Sequence, residues 1–65
     1  MVANLKSIRK LRGMTQDALA KASGIHRITI AKYEAGKVKP SLENAEKMAK
    51  ALKCSLDELI GTKAG

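Results

Sequence analysis

Residues 15–36, TQDALAKASGIHRITIAKYEAG, constrain this chain more than any other stretch. Two short helical patterns flank a Ser23-Gly24-Ile25 break, and the second pattern carries basic residues with no acidic neighbour one turn away. Gly24 suits the left-handed turn that two crossing helices need. A helix, a tight glycine-bearing turn and a second helix form one supersecondary unit. The rest of the chain reads as what holds that unit still.

Little else is available to hold it. At 65 residues the chain is one domain near the lower size limit, able to bury only about 60% of its unfolded surface. The single cysteine, Cys54, can close neither an internal disulfide nor a structural zinc site, so the fold rests on packing. Cys54 reads as a small buried hydrophobe rather than a nucleophile. No apolar run reaches membrane-spanning length, and Lys6, Arg9, Lys10 and Arg12 interrupt any signal-peptide core. These patterns predict a cytoplasmic protein in a reducing compartment, with no membrane partner and no cofactor. Residues 1–61 form the predicted domain, and 62–65 (TKAG) a flexible tail.

Val, Ile and Thr nowhere alternate with polar residues over a strand length, so the predicted class is all-α, with five helices. The first runs from about Asn4 to Arg12 with Leu5, Ile8 and Leu11 as its stripe, and Gly13 stops it. The second starts at the N-cap Thr15 and runs to Ala22, with Asp17 suiting its positive end and Ala18, Leu19 and Ala22 as its stripe. The third spans about 26–33. A loop, Glu34 to Pro40, turns at Gly36. The fourth begins near Ser41 and carries Leu42, Ala45, Met48, Ala49 and Leu52 on one face. Ser55 and Glu58 open the fifth as a capping box, closed by Gly61. The predicted core is Leu5, Ile8, Met14, Leu19, Ile25, Ile30, Leu42, Met48, Leu52, Leu56 and Leu59.

Charge is distributed unevenly. Residues 1–40 hold nine Lys/Arg against two acids, and residues 41–65 hold four of each, so the first part carries the entire net charge of +7. A basic excess confined to one part of a small domain is the footprint of a polyanion binder, or else a lysine-rich solvated surface. Tyr33 is the only aromatic, which argues against stacking single-stranded bases. At about 100° per residue, Ile30 and Tyr33 define the buried side of the third helix and leave Arg27, Ile28, Ala31 and Lys32 opposite. Arg27 is the residue type that grips guanine O6 and N7 in the major groove, and Lys32 reaches a guanine or a phosphate. Ile28 is either a lone exposed apolar residue or a contact for a thymine methyl. Cations early in a helix oppose its dipole, so helix stability does not explain them.

From Leu5 to Ile60 the chain resembles the XRE-type (phage repressor and Cro-like) helix-turn-helix domain. The matching elements are Leu5-x-x-Ile8-Arg9, Gly13-Met14-Thr15-Gln16 with Leu19-Ala20, and Ser23-Gly24-Ile25. They continue through Thr29-Ile30, Glu34-x-Gly36, Pro40-Ser41-Leu42, Ala49-x-x-Leu52 and Leu56-x-x-Leu59. The resemblance implies a compact five-helix, lambda-repressor-like domain that binds double-stranded DNA as a transcription regulator, with the third helix in the major groove. It places Arg27, Ile28 and Lys32 on the base-reading positions. Gln16, Thr29, Lys37 and Lys39 fall where the family touches phosphates, and Arg9 and Glu34 match a buried ion pair. It further implies a homodimer on a two-fold operator, with occlusion of or contact with RNA polymerase. Ile60 serves either the dimer contact or the core.

Two positions depart from the family pattern. His26 stands where Ser or Thr usually caps the recognition helix. Imidazole is a poorer cap by preference, and a protonated His26 is placed to bond a phosphate, strengthening binding below about pH 6.5. Ala18 replaces the usual acid three residues after Thr15, so the second helix lacks its capping box. A rival of another class is a protein-binding module of the same fold, an antitoxin or co-activator, indifferent to loss of Arg27 and Lys32. No enzyme is expected, because His26 and Cys54 share no site and five short helices leave no sizeable pocket.

Overall fold

Four of the five helices begin where a side chain satisfies an otherwise orphaned backbone N–H. A computed structural model describes residues 4–60. Its helices are α1 (Leu5–Leu11), α2 (Gln16–Ser23), α3 (Arg27–Glu34), α4 (Leu42–Leu52) and α5 (Leu56–Ile60), with no strand among the described residues. The predicted tail, the Gly61 stop and the Ile60 side chain lie outside the described residues. At α2 the Ala18 amide donates to Thr15 Oγ1 (3.0 Å), and at α4 the Asn44 amide donates to Ser41 Oγ (3.1 Å). The Ser55–Glu58 capping box is reciprocal. Glu58 N–H donates to Ser55 Oγ (3.0 Å) and Ser55 N–H to Glu58 Oε1 (2.9 Å). The backbone bond from Ser55, aided by its hydroxyl, favours the ionised carboxylate and lowers the Glu58 pKa.

The helix ends follow an equally local logic. After α3, Gly36 takes φ +75°, its N–H donates to Tyr33 O (3.1 Å) and the Lys37 N–H donates to Lys32 O (3.0 Å). That pair of bonds is a Schellman motif. The same motif closes α4 through Lys53 N–H to Lys50 O (3.2 Å) and Cys54 N–H to Ala49 O (3.0 Å), but its left-handed residue is Lys53, φ +54°. A side chain in that region costs roughly 1–2 kcal/mol, partly offset because glycine loses more freedom on folding. Lys53→Gly is therefore expected to stabilise the domain by about 1 kcal/mol, raising the thermal midpoint by about 4–8 °C in a calorimetric scan.

Packing places α2 against both α3 and α4, with α5 laid against α4 and α1. Leu5, Leu19, Ile30, Met48, Leu52 and Leu59 are fully buried, so every helix contributes to one aliphatic core. Three residues expected on the apolar stripes, with Leu42 among them also expected in the core, are not buried. Leu11 is 77% and Leu42 65% exposed, and Ala22 faces solvent. Three-residue spacing falls about 60° short of a full turn at each step, so Leu11 lies about 120° from Leu5. Leu42 is the first residue of α4, ahead of the turn at which Ala45 begins the buried stripe. In α2 the site four residues after Leu19 is Ser23, which is buried in place of Ala22.

Two polar ties complete the frame. Arg12 Nε donates to Leu52 O (2.7 Å) and its Nη2 to Lys53 O (3.4 Å), which sets a guanidinium on the negative end of α4. Asn4 Nδ2 donates to Glu58 O (2.8 Å), joining the start of α1 to α5.

Candidate nucleic-acid interface

The angle between α2 and α3 is fixed by a three-residue turn. Gly24 takes φ +76°, and an added Cβ there would meet nothing within 4 Å, so glycine is needed for its backbone alone. Ser23 Oγ donates to Leu19 O (2.7 Å) and accepts from the Ile25 N–H (3.3 Å), which satisfies a buried hydroxyl and pins the exit from α2. Ile25, Ile30 and Tyr33 then anchor α3. The Tyr33 hydroxyl accepts from Asn44 Nδ2 (2.8 Å), tying α3 to α4.

With that side buried, Arg27, Ile28 and Lys32 share the solvent face of α3. Ile28 is 53% exposed with basic residues on its flanks. Ala31 is half-buried between them, and Thr29 lies at the edge of the face. Lys37 and Lys39 are exposed in the loop that leaves α3, with Lys37 placed directly beyond the helix end by the Gly36 turn.

Behind this face lies a buried charge network. Arg9 Nε donates to Glu34 Oε2 (2.6 Å), its Nη2 to Glu34 Oε1 (3.1 Å) and its Nη1 to Met14 O (2.8 Å). The two side chains are only 9% and 6% exposed. Burial pushes the Glu34 pKa up. The bonds from Arg9 and Gln16, with the charges of Arg9 and Lys6, outweigh it and leave the carboxyl below its ordinary 4.5. Gln16 Nε2 donates to Glu34 Oε1 (3.1 Å) and is half-buried, so it bridges this network and the surface at the start of α2. Its amide nitrogen carries a second hydrogen.

His26 caps α3 at the position the family pattern gives it, one residue before the helix begins, and its Nδ1 accepts from the Ile28 N–H (3.1 Å). An accepting Nδ1 requires the proton on Nε2, which leaves Nε2–H as an outward donor in the neutral ring. His26→Ala is expected to cost about 0.5–1 kcal/mol of stability in urea unfolding, with His26→Asn, the better cap by preference, at least matching the parent.

One ion pair had no local signal in the sequence. Arg27 Nε lies 3.0 Å from Asp17 Oδ1, joining the first turn of α2 to the first residue of α3. The two are ten positions apart and meet only because the turn at Gly24 folds α3 back across the start of α2. The expectation of no sizeable pocket also needs qualifying, since Glu43, Glu46, Lys47 and Lys50 border a surface hollow of about 410 Å³ on α4. All four are solvated charged side chains.

A family model described as Helix-turn-helix matches residues 5–59. The chain belongs to the XRE-type helix-turn-helix family of DNA-binding transcription regulators. The match spans all five helices, so the family assignment covers the supporting core as well as the α2–α3 unit. An uncharacterized HTH-type transcriptional regulator of Archaeoglobus fulgidus is 39% identical over 60 residues, covering 92% of this chain and 86% of that protein. The cryptic phage CTXphi transcriptional repressor RstR of Vibrio cholerae is 42% identical over 57 residues, covering 88% of this chain. The matched region is about half of RstR, 51% of its length. Among solved structures, the restriction-modification controller protein C.AhdI from Aeromonas hydrophila superposes with a TM-score of 0.83 at 36% identity, covering 86% and 85% of the two chains. No helix among the described residues is long and apolar enough to cross a membrane.

Proposed function

We propose that the protein is a repressor that reads a two-fold operator as a homodimer, one α3 in each major-groove half-site. Arg27, Ile28 and Lys32 read bases, with Ile28 on a thymine methyl. Gln16, Thr29, Lys37, Lys39 and His26 hold phosphates and so set register without carrying sequence information. The observation that carries this reading is the solvent face of α3, where two cations flank an isolated isoleucine on a helix otherwise anchored by Ile30 and Tyr33. The charge distribution supports it, since the whole +7 lies in residues 1–40. The Nδ1 of His26 accepts from the Ile28 N–H, which supports its role by leaving Nε2 as the donor.

One domain spans one half-site, so tight binding requires two copies on half-sites about 34–36 Å apart. A longest extent of 34 Å is of the right size for adjacent placement. Bound in this way at a promoter, the dimer excludes RNA polymerase from the cytoplasmic DNA it would transcribe.

Selection from a random duplex library at several salt concentrations tests the reading. A recovered motif with two-fold symmetry is the expected result, and recovery of no motif overturns it. Lys37→Ala is expected to weaken binding to all duplexes alike and to lower the salt slope by about one unit, in titrations followed by fluorescence anisotropy. Sedimentation with and without the selected duplex reports whether the second copy joins before or on the DNA.

A further inference from the structure

The Asp17–Arg27 pair has a consequence for base choice, and this consequence rests on the base-reading role proposed for Arg27. We infer that Asp17, which lies on α2 and not on the recognition helix, aims the Arg27 guanidinium and thereby sharpens a guanine preference at one operator position.

The geometry has three parts. Asp17 Oδ1 sits 3.0 Å from Nε, the atom nearest the side-chain stem, with the two side chains 72% and 53% exposed. The shortest contact is therefore made at Nε and not at the terminal nitrogens that would meet guanine O6 and N7. Arg27 is also the first residue of α3, where the helix dipole repels a cation, and the carboxylate offsets that repulsion at this place.

Stability does not account for the pair. An exposed ion pair of this kind contributes little to folding. Its effect is to restrict a long, rotamer-rich side chain before DNA arrives. A restricted arginine loses less freedom on binding the base that fits its aim, and the same restriction penalises bases that would need it elsewhere. Asp17 at the same time adds a negative charge beside a polyanion, which weakens binding to every sequence. Preference and overall affinity are therefore expected to move in opposite directions when Asp17 is removed, which simple charge removal or loss of fold would not produce.

The test uses the full chain and the duplex recovered by selection, with its three single-base variants at the position that Arg27→Ala relaxes. Asp17→Ala is expected to bind a random duplex more tightly, yet to prefer guanine over the other three bases about two- to five-fold less than the parent. Asp17→Asn, which keeps the side-chain volume, is expected to do the same, and Asp17→Glu to restore part of the preference. In the Arg27→Ala background, Asp17→Ala is expected to leave base preference unchanged, because there is nothing left to aim. A single common factor across all four bases for Asp17→Ala would overturn the proposal while leaving the base-reading role of Arg27 intact. If Arg27→Ala itself relaxes no position, both fall. A thermal scan of each variant separates loss of fold from loss of preference.

Discussion

Arg9→Ala is expected to cost about 3–5 kcal/mol of folding stability, the largest effect of any substitution considered. The change deletes three hydrogen bonds at once, two to Glu34 and one to Met14 O, and leaves the Glu34 carboxylate buried with only Gln16 as a partner. At roughly 0.05–0.15 kcal/mol per residue, a domain this small holds total stability of the same order. Urea unfolding should therefore find much of the variant unfolded at 25 °C. Replacing both partners by apolar residues, Arg9→Met with Glu34→Leu, is expected to recover most of the loss, because the cost lies in the orphaned charge more than in the missing attraction. Equal instability of the single and double variants would show that packing, not charge, governs the site.

Acid gives an independent check. In the parent, the Glu34 pKa is below 4.5 in the folded state, so its contribution is present above the unfolded value and is lost as pH falls through the folded one. In Arg9→Ala, burial acts on Glu34 without its main opponent and raises the pKa. The carboxyl is then neutral at low pH in both folded and unfolded states, and the penalty grows as pH rises. The stability gap between parent and variant is thus expected to narrow below about pH 4.5. Parallel pH–stability curves would contradict this account.

The parts of the fold legible in the sequence are those carried by near neighbours. Thr15, Ser41 and the Ser55–Glu58 pair act within one turn, and Gly24 and Gly36 act on their own φ, so these starts and stops follow from local spacing, whereas the left-handed Lys53 that ends α4 carries no such signal. The pairing of Arg9 with Glu34, by contrast, came from family resemblance, since nothing local joins residues 25 apart. Arg12 on the α4 carbonyls lies 40 positions from its partner, and Asp17 meets Arg27 across the turn. Neither contact exists until the helix crossing angles are set, and sequence periodicity does not encode those angles. Periodicity also misplaced Leu11 and Leu42, because a three-residue repeat drifts around a helix and a first-turn residue has no neighbour to bury it. The α3 face was legible because the helix is short and its anchors, Ile30 and Tyr33, fix its rotation. What its side chains do before DNA arrives was not legible, and two of them are engaged. Arg27 is held at Nε, and His26 spends its Nδ1 on the helix.

Arg27→Ala is expected to reduce affinity for the selected operator by about 1–3 kcal/mol, a loss of roughly 5- to 150-fold, and to relax preference at a single base position. The argument rests on where the charge would go. A guanidinium on guanine O6 and N7 releases few phosphate counterions, so its loss should leave the salt slope nearly unchanged while the sequence preference collapses locally. A phosphate contact does the reverse. It lowers the slope by about one unit and affects every sequence alike, the pattern expected of Lys37→Ala. Comparing the two variants on the operator and on a random duplex, each across several salt concentrations, separates the roles in one data set. If Arg27→Ala instead weakens all duplexes equally and lowers the slope, Arg27 belongs with the backbone contacts. Base reading on α3 would then fall to Ile28 and Lys32, a weaker pair, since an aliphatic contact with a thymine methyl and a flexible ammonium lack the two parallel donors that fix an arginine on guanine.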